Sequence, residues 1–197
     1  MNFWNSLFGK KKDEKGNENS QSPFMPEKKD PVEISFAYNF TKKGGRFLFA
    51  ESESNFKSFF ENILNENRWS NSDVFSLDSE IAKNFNIDIN EDVIISKEKK
   101  AAFIKCEYLI ANTGGILISS NQIKNFNLNK LPENIIVKAK INQFVRDVSE
   151  GMSKLKGFYS KNLPTNITTL NAKNSEKESD FLSHGNSAKN IYLLLQE

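Results

Sequence analysis

The chain has 197 residues, enough for one well-buried core and too few for two ordinary domains once a polar N-terminal stretch is set aside. Lys and Arg total 27 against 25 Asp and Glu, a formal net charge of +2, which excludes the global positive field of a nucleic-acid binder. Cys106 and His184 are the sole cysteine and histidine, so no internal disulfide can form and too few soft ligands exist for a structural zinc or iron–sulfur site.

No bound metal or other cofactor is expected, and a reducing compartment, the cytoplasm, fits best. No apolar run approaches the roughly 18 residues needed to cross a bilayer. The start, MNFWNSLFGKKK, lacks a basic region ahead of a long apolar one and a small-residue cleavage site, so secretion is not expected. Residues 1–30 are read as a segment outside the fold. Phe3, Trp4, Leu7 and Phe8 share one face if helical and Lys10–Lys12 follow, a pattern that would suit a membrane-surface anchor. Two turns are too short to favour that over a frayed terminus. From Gly9 to Asp30 the composition is charged and amide-rich with Pro23 and Pro26, which reads as a disordered linker.

The folded domain is expected over residues 31–197. Val32, Ile34, Phe36, Tyr38 and Phe40 alternate like a strand, to which periodicity alone leans, while Phe36, Phe40 and Lys43 also fit a helix flank ending at Gly44-Gly45. Arg46–Ala50 reads as a strand, and Ser52 caps a helix carrying Phe56, Phe59, Phe60 and Ile63. Asp73–Leu77 is a short strand, Ser79–Phe85 a short helix capped by Asp78, and Asp92–Ile95 a further strand. Strands separated by helices imply parallel pairing with right-handed crossovers. Glu107–Asn112 and Ile116–Ser119 flank a Thr113-Gly114-Gly115 turn as a sharply turned strand pair. Asn134–Ala139 is a buried-type strand, and Ile141–Phe158 carries Ile141, Phe144, Val145, Val148, Met152, Leu155 and Phe158 on one face of a long helix. Thr165–Leu170 and Asn190–Leu195 close the sheet.

The run Cys106-Glu107-Tyr108-Leu109-Ile110-Ala111-Asn112-Thr113-Gly114-Gly115-Ile116-Leu117-Ile118-Ser119 resembles the central motif of LUD (lactate-utilisation) domain proteins, an Ile-Ala-acid-Thr-Gly turn between two apolar strands. Leu131-Pro132, Ile167-Thr168-Thr169 and Ser183-His184-Gly185 are similar to further elements of that family, and the resemblance runs from Pro31 to the C-terminus. It is closest to short members of Bacteroidetes type. The resemblance implies an α/β fold, an open and mostly parallel sheet flanked by helices, similar to the sugar-phosphate isomerase and CoA-transferase group. It also favours a helix over Val32–Lys43. Three positions depart from the family: Asn112 replaces an acid, Gly115 a Thr or Ser, and Asn186 a Pro, while Leu170–Glu178 lacks a Gly-Pro-Ser loop.

Asn112, Thr113, Gly114 and Gly115 combine polar side chains, backbone N–H groups and residues tolerant of positive φ, as anion-binding concavities do. Ser119, Ser120, Asn121 and Gln122 add neutral donors and acceptors, with Thr168 and Thr169 as a second wall and His184-Gly185 in a loop before the last strand. The plainer reading is that the glycines permit a tight turn and the polar run caps a helix. Glu107 and His184 are the candidates for acid–base chemistry, although alternation directs Glu107 toward the surface and away from the turn. Cys106 lies in an apolar setting that raises a thiol pKa. The resemblance implies an accessory role in converting L-lactate to pyruvate, with a small anionic metabolite as ligand and iron–sulfur subunits as partners. The alternatives are a stand-alone enzyme or a sensor that binds a sugar phosphate, a CoA ester or another small anion.

Overall fold

The computed structural model describes residues 30–89, 98–124, 126–160, 162–173 and 188–197. The N-terminal segment, the expected strand Asp92–Ile95, and His184 and Gly185 lie outside them.

Helix α1 (Val32–Lys42) settles the ambiguity at the start of the domain. An alternating strand would put Tyr38 on the face of Phe36 and Phe40, but those two are fully buried and Tyr38 is 63% exposed. One helical turn separates the two phenylalanines, and their rings stack at 5.3 Å. The N–H groups of Lys43 and Gly45 close on the Phe40 carbonyl and end the helix.

β1 (Arg46–Ala50) leads to α2 (Glu53–Asn67), which Ser52 caps by accepting from the Asn55 N–H at 3.2 Å. β2 (Val74–Ser76), α3 (Ser79–Phe85) and β3 (Asp88–Ile89) follow. β4 (Ala101–Lys105), a short apolar run closed by a lysine, is a strand in addition to those expected. β5 (Tyr108–Ile110) and β6 (Gly115–Ile118) form the expected antiparallel pair around the glycine turn. Then come the one-turn α4 (Ser120–Ile123) and β7 (Asn134–Lys140).

The long helix expected over Ile141–Phe158 is broken. Ile141–Gln143 is a 3₁₀ turn, Phe144–Val145 is strand β8 paired parallel to Leu109–Ile110, and α5 starts only at Val148 and runs to Tyr159. Asp147 takes the Glu150 N–H at 2.9 Å and so starts α5 at Val148 rather than at Ile141. β9 (Thr168–Ala172) and β10 (Ala188–Gln196) complete the chain.

The sheet follows the order β3-β2-β4-β7-β10-β9-β6-β5-β8, with β1 also against β10. β10 organises it: one side pairs parallel with β7 along Asn190–Gln196, and the other pairs with β9 at Ala188–Lys189 and then with β1 at Tyr192–Gln196. The part from β3 to β1 is wholly parallel, whereas β6 runs antiparallel to β5 and β9. Because β4 and β7 are covered on both faces they read as nearly continuous apolar runs. Phe56, Phe60 and Phe85 of α2 and α3 pack around Phe103 on one face. On the other, Phe36 and Phe40 join Ile104, Val137 and Leu193 with the inner residues Leu109, Ile116 and Ile118 of the small mixed part. Leu155 of α5 packs beneath Ile110, Leu117 and Val145. No helix among the described residues is long and apolar enough to cross a membrane.

Candidate functional site

From β2 the chain moves outward to β3, then returns through β4 to β7 and β10 on the other side. Such a reversal leaves a crevice outside the strand carboxyl ends, where ligands of open α/β sheets bind. The residues that end β2 and β4 meet there. Asp78 caps α3, accepting from the Glu80 and Ile81 N–H groups at 2.9 and 3.0 Å. Lys105 reaches back to Asp78 at 2.9 Å and to Glu80 at 2.7 Å. Burial acts to raise the pKa of Asp78, but the Lys105 ammonium and the helix N–H groups outweigh it and hold the carboxyl below its usual range. In the same way burial opposes the charge on Lys105, and its two carboxylate partners still raise its pKa.

Beside this triad a cleft of about 520 Å³ opens, lined among others by Lys105, Glu107, Lys138, Lys140, Gln143 and Phe158. Lys138 and Lys140 alternate at the end of β7, so both project on the α2 side at the carboxyl edge. Lys138 Nζ sits 5.0 Å from the Phe56 ring centroid. Neither lysine forms an ion pair within the described residues, while Lys105 is already matched by two carboxylates. The cleft is therefore lined by two lysines that form no ion pair among the described residues, one of them resting on the Phe56 ring.

Glu107 forms another wall, and its side chain is not stranded on the surface. Half-buried in the loop between β4 and β5, its Oε1 accepts from Ser119 Oγ at 2.6 Å and from Gln122 Nε2 at 3.0 Å, while Tyr159 at the end of α5 donates at 3.2 Å to Oε2. Asn121 Nδ2 lies at 3.5 Å, the outer limit of a hydrogen bond. Gln143 Nε2 fixes the loop by donating to the Cys106 and Glu107 carbonyls at 2.6 and 3.0 Å. Burial, then the Glu107 charge, pushes the Tyr108 and Tyr159 hydroxyls up, so both stay protonated donors at neutral pH. Burial also pushes the Cys106 thiol up, far from thiolate chemistry, as its apolar setting implies.

The other residues expected at the site divide between several places. Ser119 is fully buried and forms a capping box with Gln122, whose Oε1 takes the Ser119 N–H at 2.8 Å. Ser120 instead ties its Oγ to the Thr165 N–H at 3.0 Å. At the Thr113-Gly114-Gly115 turn the glycine N–H groups are engaged within the chain: Gly114 donates to Ile110 O at 2.8 Å and Gly115 to Thr113 Oγ1 at 3.2 Å. The turn docks on α1, where Asn39 Nδ2 donates to Ala111 O at 2.8 Å, and the exposed Asn112 uses its N–H on Arg146 O at 3.0 Å. Thr169 packs against Gly115, so the two expected walls do meet, without leaving room between them. Thr168 lines a separate cavity of about 340 Å³ with Asn166, Asn127 and Asn129.

Lys105, Lys138, Lys140, Gln143 and Tyr159 are not among the residues that the sequence singles out. A signal was present for the lysines, because a charged residue at the end of an otherwise buried strand marks the carboxyl edge of a parallel sheet. Among the described residues no group of three or more His, Cys, Asp or Glu side chains could hold a metal ion.

An α/β arrangement with a mostly parallel sheet covered on both faces, a glycine turn docked on the first helix and a cleft at the strand ends defines the class. The LUD-domain profile matches residues 35–194, and the chain belongs to the LUD-domain family. Among solved structures it is similar to the crystal structure of a DUF162 family protein from Deinococcus radiodurans, with a TM-score of 0.60 at 15% identity, covering 84% of this chain and 96% of that one. That likeness concerns the fold. No curated protein matches the chain.

Proposed function

We propose that this LUD-domain chain is a cytoplasmic accessory component of L-lactate utilisation that binds a small anionic metabolite in the carboxyl-edge cleft, with the redox centres held by iron–sulfur partner subunits. Family membership supports the pathway. The observation that supports the ligand class is the pair Lys138 and Lys140, which line the cleft and form no ion pair among the described residues. An anion there would gain charge-assisted hydrogen bonds in a partly desolvated crevice. Glu107, saturated by donors from Ser119, Gln122 and Tyr159, holds that wall rigid.

Calorimetric titration with L-lactate, pyruvate and sugar phosphates tests the ligand class. The double substitution Lys138→Ala, Lys140→Ala is expected to weaken binding by about tenfold or more, the loss of one to two charged hydrogen bonds. Binding unchanged in that variant would remove the cleft from consideration. Unimpaired growth on lactate after deletion of the gene would remove the pathway. A second reading, a stand-alone enzyme on a sugar phosphate or CoA ester, draws on the placement of a carboxylate, Glu107, on the wall of the same cleft. Turnover of a bound anion by the isolated chain decides between them.

A further inference from the structure

Phe158, expected on the packed face of the long helix, instead lines the cleft and is 77% exposed, while Leu155 one turn earlier is fully buried. Its ring has one aromatic neighbour among the described residues. It meets Tyr159 edge to face, with centroids 4.9 Å apart and planes at 88°, and Tyr159 is in turn anchored by its hydroxyl to Glu107. An apolar surface therefore stands in the same cleft as Lys138 and Lys140, neither of which forms an ion pair among the described residues. The exposed Asn142 amide, also on the lining, can both donate and accept at the edge of a heterocycle. The volume of about 520 Å³ lies within the range of pockets that enclose drug-sized molecules, far more than a three-carbon acid fills.

We propose that the ligand of this cleft is a nucleotide-like anion, with its phosphate on Lys138 and Lys140 and its planar ring stacked on Phe158. The inference rests on the reading of the cleft as the binding site and names the ligand class more narrowly. Phe158 is then the residue that sets specificity, because stacking discriminates a ring-bearing phosphate from a bare one, whereas the lysines attract both.

The test is calorimetric titration of the full chain with adenosine 5′-monophosphate, ribose 5-phosphate and inorganic phosphate. Adenosine 5′-monophosphate is expected to bind about tenfold more tightly than ribose 5-phosphate, the scale of one base–aromatic stack. Phe158→Ala should abolish that difference and leave ribose 5-phosphate unaffected, and Phe158→Trp should keep it. Since the ring is largely exposed, the variant is expected to fold normally, which its thermal transition checks. Equal affinity for the two sugar phosphates in the native chain would overturn the stacking role while leaving the anion cleft intact. Loss of a dimer in Phe158→Ala by size-exclusion chromatography would overturn it too, by assigning the ring to a protein contact. Binding of none of the three probes would overturn both this inference and the cleft reading beneath it.

Discussion

Gly114 holds φ at +66°, and a β-carbon there would fall 2.4 Å from the Phe40 nitrogen and 2.5 Å from the Asn39 carbonyl carbon. Backbone cannot yield as a flexible side chain can, so the turn reaches α1 only because this residue has no side chain. Gly114→Ala should destabilise the domain by about 3 kcal/mol, combining overpacking with a positive φ, and a lowered urea midpoint would show it. The neighbouring Glu107 shows how far a residue can depart from its local pattern. Strand alternation directs it outward, yet the chain stops being a strand at Cys106–Glu107, and the carboxylate turns into donors from α4 and from α5, 12 to 52 residues further on. Alternation describes only residues inside a regular strand.

At the scale of the element, the start of α5 concentrates charge in one turn. Glu150 Oε2 accepts from the Arg146 N–H at 2.9 Å and Nε at 3.0 Å, and its other oxygen lies 3.3 Å from Lys154. These hydrogen bonds, the backbone one foremost, lower its pKa from 4.5 to about 2. A carboxyl depressed in the folded state adds stability that is full above its unfolded pKa and is lost as pH falls toward the folded one. The urea midpoint should therefore drop between pH 4.5 and about 2, and Glu150→Gln should flatten that part of the profile. An unchanged acid limb in the variant would show that the cap contributes nothing. The same element begins later than its apolar spacing predicts. Ile141, Phe144, Val145 and Val148 keep a helical spacing, but Phe144 and Val145 are buried as a strand against β5, so their apolar character serves the sheet. Short apolar runs carry both periods, and only their partners decide.

For the whole molecule, β10 is the strand on which the two parts of the sheet depend. Leu193, fully buried, stands between Val137 of β7 and Phe47 of β1 and contacts the core shared with the small mixed part. Leu193→Ala is expected to cost about 3 kcal/mol, shown by a shifted denaturation midpoint with a single cooperative transition. Two transitions would mean that the parts unfold separately.

The sequence by itself determined the α/β class, most strand and helix positions, the glycine turn and family membership, because propensity, capping and motif are properties of residues close together in the chain. The first helix was legible only through the family motif, its own pattern favouring a strand. The tertiary structure alone decided which strand ends stand side by side. Lys105 and Lys138 are 33 positions apart and become direct neighbours through the pairing of β4 with β7, while Phe158 reaches the same cleft from a helix on the far side of the small mixed part. Strand order is set by the competition of whole faces for one core, and no local pattern records its outcome.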